Sequence, residues 1–206
     1  SAITLNGSEA IFSGMEKLEI HSAGGDDSIT LAVTADVTKY VDAGDGDDVV
    51  DASAATDGTL IGGAGDDTLI GTPIADLIDG GDGNDSLVGH GGDDIIIGGT
   101  GDNTISGGEG DDAITAADGN NVVDGNAGDD RITVGDGVNT ISGNEDHDYI
   151  VAGDGGNQVL GGDGDDSIFT GAGDDSIAGG SGNDSILSGA GADIVDGDEG
   201  DDVVDS

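Results

Sequence analysis

Along most of the chain one aliphatic residue returns at every ninth position. Over residues 62–205, sixteen nine-residue units follow one another without an insertion. A clean copy is Gly80, Gly81, Asp82, Gly83, Asn84, Asp85, Ser86, Leu87, Val88. The eighth residue is Leu, Ile or Val in every unit, from Leu69 and Ile78 to Val195 and Val204. The sixth is Asp in twelve units and Asn in four. A strict period of this length marks a stacked array of small units, none of which can bury its apolar residue alone. Positions one to six, rich in Gly and Asp, are expected to turn, with Gly supplying positive φ and close backbone approach. Positions seven to nine are expected to form a short strand, position eight inward and its neighbours outward. Two units then make one coil of 18 residues, and successive turns alternate between two flanks of the stack.

Upstream the pattern loosens without vanishing. Residues 22–30 and 43–51 are partial copies, with Asp27 and Asp48 in the sixth place. The steps from Asp27 to Asp48 to Asp67 are 21 and 19 residues, close to one coil, so residues 22–61 read as two irregular coils. Residues 1–21 carry Ile3, Leu5, Ile11, Phe12, Leu18 and Ile20. They are read either as a cap over the open end of the stack, since terminal solenoid units are atypical, or as the end of a preceding domain.

Charge changes the picture. There are 46 acidic and 3 basic residues, for a net charge of -43, and aromatics make up 2%. Such a composition normally means disorder and excludes an ordinary globular core. A flexible Gly/Asp linker, however, has no reason to keep an aliphatic residue at sixteen successive ninth places. One such side chain per unit does not offset the entropy of ordering the rest, and carboxylate repulsion deepens the deficit. A cation that binds only the folded state supplies the remainder by mass action. The chain is therefore expected to be ordered with its cation and disordered without it. Absence of Cys fits a secreted chain stabilised by metal. No segment is long and apolar enough for a membrane helix, and the negative charge argues against nucleic acid or anionic lipid as partner.

The unit resembles the nonapeptide of RTX (hemolysin-type calcium-binding) repeats, and the resemblance covers residues 62–205. It implies an all-β fold, a right-handed parallel β-roll with two short strands per coil. It also implies calcium ions between successive turns of one flank, held by the sixth-position Asp and by turn carbonyls. The implied ligands on one flank, here called the uniform flank, are Asp76, Asp94, Asp112, Asp130, Asp148, Asp166, Asp184 and Asp202. On the other, mixed flank they are Asp27, Asp48, Asp67, Asp85, Asp175 and Asp193. Between Asp85 and Asp175 the mixed flank departs from the pattern with Asn103, Asn121, Asn139 and Asn157 in four consecutive coils. Either Asn binds calcium through its amide oxygen, or this stretch is calcium-free. The latter is expected, because a pair of Asn brings no charge to offset dehydration of a divalent ion, and stacked Asn can hydrogen-bond as a ladder. Counting Asp–Asp intervals gives about eleven ions.

Other motifs fall away. No Gly-rich window opens a helix and none carries Gly-Lys-Ser/Thr; no EF-hand loop fits; His21, His90 and His147 are scattered, with no His-Glu-x-x-His. No enzymatic function is expected. The outward positions Leu77, Ile95, Ile97, Tyr149, Val151, Phe169, Leu187 and Val203 could form an apolar strip on one sheet, or simply reflect strand propensity. The resemblance implies a secreted or cell-surface bacterial protein exported by type I secretion, and a C-terminal secretion segment that does not follow Asp205. The chain is therefore expected to be a fragment whose partners include calcium, flanking domains of the parent chain and other copies of itself. A structural, self-assembling, surface-layer-like role leads. An adhesin or toxin repeat, or an accessory module of a secreted protease, lipase or epimerase, is the alternative.

Overall fold

The computed structural model describes residues 2–5 and 8–11 in backbone, and residues 17–32 and 38–205 in full. Phe12, and the side chains of Ile3, Leu5 and Ile11, lie outside what it describes. The described chain is all β: a solenoid of about ten turns with no helix, consistent with a β-roll. Its strands form two parallel stacks, one of twelve strands and one of eleven, the twelve-stranded one carrying an antiparallel hairpin at its edge. Register follows the nonapeptide. Leu87 lies between Leu69 and Ile105 in the twelve-stranded sheet, and Ile96 between Ile78 and Ile114 in the eleven-stranded sheet.

The first strand of the eleven-stranded sheet is Lys17–His21, which pairs in parallel with Thr38–Asp45. Its Leu18 and Ile20 are buried. Ala2–Leu5 and Ser8–Ile11 form the antiparallel hairpin, joined to the roll through Ser28–Ala32. An antiparallel strand on the last parallel edge occupies hydrogen-bonding groups that would otherwise be open to pairing.

Position eight behaves as the pattern requires as far as Ile186, whereas Val195 is partly buried and Val204 is 47% exposed in the last coil. Leu69, Ile78, Leu87, Ile96, Ile114 and Ile132 are all 0% exposed, so one column of aliphatics from each sheet meets along the axis. Most strands that carry the chain into uniform-flank turns, and several of those that enter mixed-flank turns, run on past position nine: Ser86–Gly91 and Thr104–Glu109 on the way to uniform-flank turns, and Leu77–Asp82 on the way to a mixed-flank one, reach position three of the following unit. The turn is thus shorter than six residues, and position one becomes a second inward column. This changes the role of its glycine. Gly81 and Gly83, at positions two and four, have φ of 107° and 142°, where glycine is needed for conformation. Gly80, at position one, lies outside the left-handed region and is needed for space instead.

Candidate metal centre

The sixth-position side chain folds back over its own turn. Its Oδ1 accepts a hydrogen bond from the backbone N–H of the sixth residue one coil earlier. On the uniform flank the bonds run Asp94 to Asp112, Asp112 to Asp130, Asp130 to Asp148 and Asp148 to Asp166, at 2.8 to 2.9 Å. The mixed flank repeats the motif through Asp67 to Asp85 and Asp85 to Asn103, both at 2.9 Å. Each flank is thereby stitched along the stack by one side-chain oxygen per coil.

The other oxygen is left over. Oδ2 is buried with no hydrogen-bond partner in Asp48, Asp67, Asp85, Asp94, Asp112, Asp130, Asp148, Asp166, Asp175 and Asp184. An unsatisfied buried polar atom costs ~1–3 kcal/mol, more when charged, so ten in one chain call for a partner. What surrounds them names its chemistry. A Cβ placed on Gly125 would run into Asp130 Oδ2 and lie 2.9 Å from the carbonyl oxygen of Gly143, one coil on. The same pair of oxygens, own-turn Oδ2 and next-coil carbonyl, meets beside Gly62, Gly80, Gly89, Gly107, Gly143, Gly161 and Gly179. Position-one glycine therefore keeps open a cradle lined by oxygen and bare of protein donors. Among the described residues no three acidic or His side chains converge as a metal cluster. Each cradle offers one carboxylate with backbone carbonyls, a donor set that suits a hard divalent cation such as calcium.

The electrostatics agree. Loss of hydration on burial pushes the carboxyls up, partly offset by the backbone N–H each accepts; neighbouring carboxylates push further. Asp148 rises to about 8, Asp94 and Asp130 to about 7, and Asp67, Asp112 and Asp166 to about 6. Asp48, Asp85 and Asp184 are raised for the same first reason. A nearby cation reverses this shift by favouring the charged form.

Four of the implied ligands differ from the rest. Asp76 is satisfied by protein donors: its Oδ2 accepts from the Thr72 N–H at 2.5 Å and its Oδ1 from the Thr72 hydroxyl at 3.1 Å. Asp193 Oδ2 accepts from the Ser188 hydroxyl at 2.9 Å. Asp27 and Asp202 are only partly buried. The four Asn turns are satisfied as well. Asn157 Nδ2 donates to the carbonyls of Gly153 and Gly155 at 3.1 and 3.2 Å, and Asn139 Nδ2 to Gly135 at 3.2 Å.

One residue was hidden by sequence spacing. Lys39 pairs with Leu18, and its neighbour Tyr40 pairs with Thr59, which puts Lys39 in register with Gly58 and, one coil on, with Asp76. Lys39 thus takes a sixth-position place on the uniform flank. It is 1% exposed, and its ammonium donates to Thr56 Oγ1 at 2.9 Å and pairs with Asp57. The clue in the sequence was one of only three basic residues in an almost wholly acidic chain, ahead of a turn whose sixth residue is Gly58 instead of Asp.

A parallel solenoid whose turns present buried, unpartnered carboxylate oxygens beside backbone carbonyls is a cation-binding β-roll. The RTX calcium-binding nonapeptide repeat profile matches the chain in eight overlapping segments, from residues 55–87 to residues 169–204. The chain belongs to that family, and its repeats are calcium-binding. The comparison with curated proteins found no match.

Proposed function

We propose that this chain is a calcium-triggered folding module of a secreted or cell-surface bacterial protein, non-enzymatic and structural in role. The observation that carries the reading is the set of ten buried Oδ2 atoms without a donor. In the folded chain these oxygens are buried and accept no hydrogen bond from the protein. Asp94, Asp112, Asp130, Asp148, Asp166 and Asp184 would hold ions along the uniform flank, and Asp67 and Asp85 along the mixed one. Bound calcium supplies positive charge that offsets both the lost hydration and the repulsion of a chain at -43. At low calcium the balance reverses and the chain expands. A module of this kind stays unfolded where calcium is scarce and folds where it is plentiful, which fits export in an unfolded state and folding outside the cell. Small-angle scattering of the chain at low and saturating calcium tests the reading. A large fall in radius of gyration on calcium addition supports it, and an unchanged compact radius in chelator contradicts it.

Within this reading, self-assembly has its own support. The eleven-stranded sheet exposes Leu77, Ile95, Tyr149, Leu187 and Val203, while Val151, Phe169 and Leu187 follow one another along it. The Arg131 guanidinium sits 4.5 Å from the Tyr149 ring, which is itself 5.4 Å from Phe169. This gives an apolar strip from Tyr149 and Val151 through Phe169 to Leu187, with a single positive charge at its edge, on an acidic molecule. The twelve-stranded sheet also exposes Val49, Val122, Leu160 and Ile194, so the contrast between sheets is smaller than the sequence pattern indicates. A role as adhesin or toxin repeat, or as accessory module of a secreted enzyme, would use the same calcium chemistry without the strip.

A further inference from the structure

We infer that calcium loading is one-sided: beyond Asp85 the mixed flank is closed by its own side chains and holds no ions, even at Asp175 and Asp193. The inference rests on the calcium reading above and sharpens it.

Position one separates the flanks. On the uniform flank it is glycine in all eight regular units, from Gly71 to Gly197. On the mixed flank, glycine occupies it only at Gly62, Gly80 and Gly98. The next five coils carry Ala116, Val134, Ala152, Thr170 and Ser188, each 9% exposed or less. A Cβ at this position points into the space where own-turn Oδ2 and next-coil carbonyl meet. These five side chains therefore occupy the volume that the uniform flank leaves open.

Apart from the buried Oδ2 of Asp175, polar atoms in the filled stretch find protein partners. Asn121 Nδ2 donates to Asn139 Oδ1 at 3.2 Å, Asn139 Nδ2 to Asn157 Oδ1 at 3.0 Å, and Asn157 Nδ2 to Asp175 Oδ1 at 3.1 Å. The same amides also reach turn carbonyls. An amide N–H here does what a cation does elsewhere: it neutralises acceptors that converge from two coils. Thr170 continues the substitution, donating its hydroxyl to the Ser188 carbonyl at 2.9 Å, and Ser188 donates to Asp193. Sequence alone points to an Asp175–Asp193 ion, because both sixth positions are acidic. The filled first positions argue otherwise.

Two conditions together define an open cradle: glycine at position one, and Asp at position six with an unpartnered Oδ2. Of the ten unpartnered carboxylates, Asp48 and Asp175 belong to units with Ala43 and Thr170 at position one, which leaves eight. Six lie on the uniform flank and two, Asp67 and Asp85, at the start of the mixed one. The chain then holds eight ions, where Asp–Asp intervals alone suggest about eleven. The filled stretch is a packed, hydrogen-bonded spine, facing a ladder of unpartnered carboxylates.

Anomalous difference density from calcium in crystals of the whole chain tests this. Eight peaks are expected, beside Asp67, Asp85, Asp94, Asp112, Asp130, Asp148, Asp166 and Asp184. In parallel, calorimetric titration of Thr170→Gly/Ser188→Gly should show at least one more bound ion than the parent, since removing both side chains opens the Asp175 cradle and frees Asp193 Oδ2 from its Ser188 partner. Calcium density beside Asp175 or between the Asn turns of the parent would overturn the one-sided account while leaving calcium binding intact. So would a folded double variant that gains no ion. A parent chain that binds no calcium at all would instead overturn the calcium reading itself.

Discussion

The backbone N–H of Asp130 donates to Oδ1 of Asp148 at 2.9 Å, while Oδ2 of that same carboxylate is buried with no partner. One side chain thus does two jobs. Oδ1 locks the register of adjacent coils, and Oδ2 waits for a positive charge. The two cannot be separated by position, because both oxygens hang from one Cγ. Register and metal dependence are therefore coupled throughout the uniform flank.

Asp130→Ala should damage calcium binding far more than Asp118→Ala. Asp130 provides a buried Oδ2, and its Oδ1 accepts from the N–H of Asp112 at 2.8 Å. Asp118 is exposed, and its Oδ1 only receives the N–H of Asp136 at 2.9 Å. Calorimetric titration should show one or two ions lost for the first and none for the second, with a stability change within ~0.5 kcal/mol for the second. Equal losses would contradict the assignment.

Gly125→Ala should cost at least one ion, because the new Cβ would run into Asp130 Oδ2 and crowd the Gly143 carbonyl. Ala152→Gly, at the same repeat position on the filled stretch, should leave the ion count unchanged, since Asn157 stands at its sixth position. Native mass spectrometry in calcium buffer distinguishes the two. Loss of ions from neither variant would mean that position one does not shape the cradle.

Acid should partly replace calcium. The cradle carboxyls are raised above their unfolded value, from about 6 for Asp112 to about 8 for Asp148. A group raised in the folded state favours folding when protonated, and that contribution is lost as pH climbs through the folded value. In chelator, lowering pH from about 8 to below about 6 should therefore increase β structure. In calcium, the same acidification should weaken binding, because protons compete for Oδ2. Far-ultraviolet circular dichroism across this window checks the sign, and loss of β structure on acidification in chelator would refute it.

Lys39→Met should loosen the first coils without changing the ion count. The ammonium is buried and held by Thr56 and Asp57, whereas the Asp57 side chain is 44% exposed and can be rehydrated once the pair is gone. A cost of ~1–3 kcal/mol is expected. Hydrogen exchange should accelerate in Thr38–Asp45 and Thr59–Ala64 ahead of later coils. Unchanged exchange there would show that the pair contributes nothing to the start of the roll.

Much of this architecture was legible in the sequence, and the reason is periodicity. The recurrence from Leu69 to Val204 specifies strand, inward face and register at once, since a one-residue slip would turn every aliphatic outward. The sixth-position Asp residues were legible for the same reason. What escaped was the inwardness of position one. Glycine there reads like any turn glycine, yet at Gly80 or Gly125 it keeps a volume empty instead of supplying an unusual φ. Ala116, Val134 and Ala152 at the same position are buried side chains that fill the cradle. Lys39 escaped because the coil before residue 62 departs from the nonapeptide spacing, so its register with Gly58 emerges only from strand pairing.

The most direct test of calcium-triggered folding is circular dichroism of the whole chain in chelator and at rising calcium, at neutral pH and moderate salt. The account predicts a largely disordered spectrum in chelator and a cooperative gain of β structure at ~0.1–1 mM calcium, the range of extracellular modules. A β-rich spectrum with cooperative thermal unfolding in chelator would mean that the ten unpartnered carboxylates do not set the stability of the fold, and would contradict it.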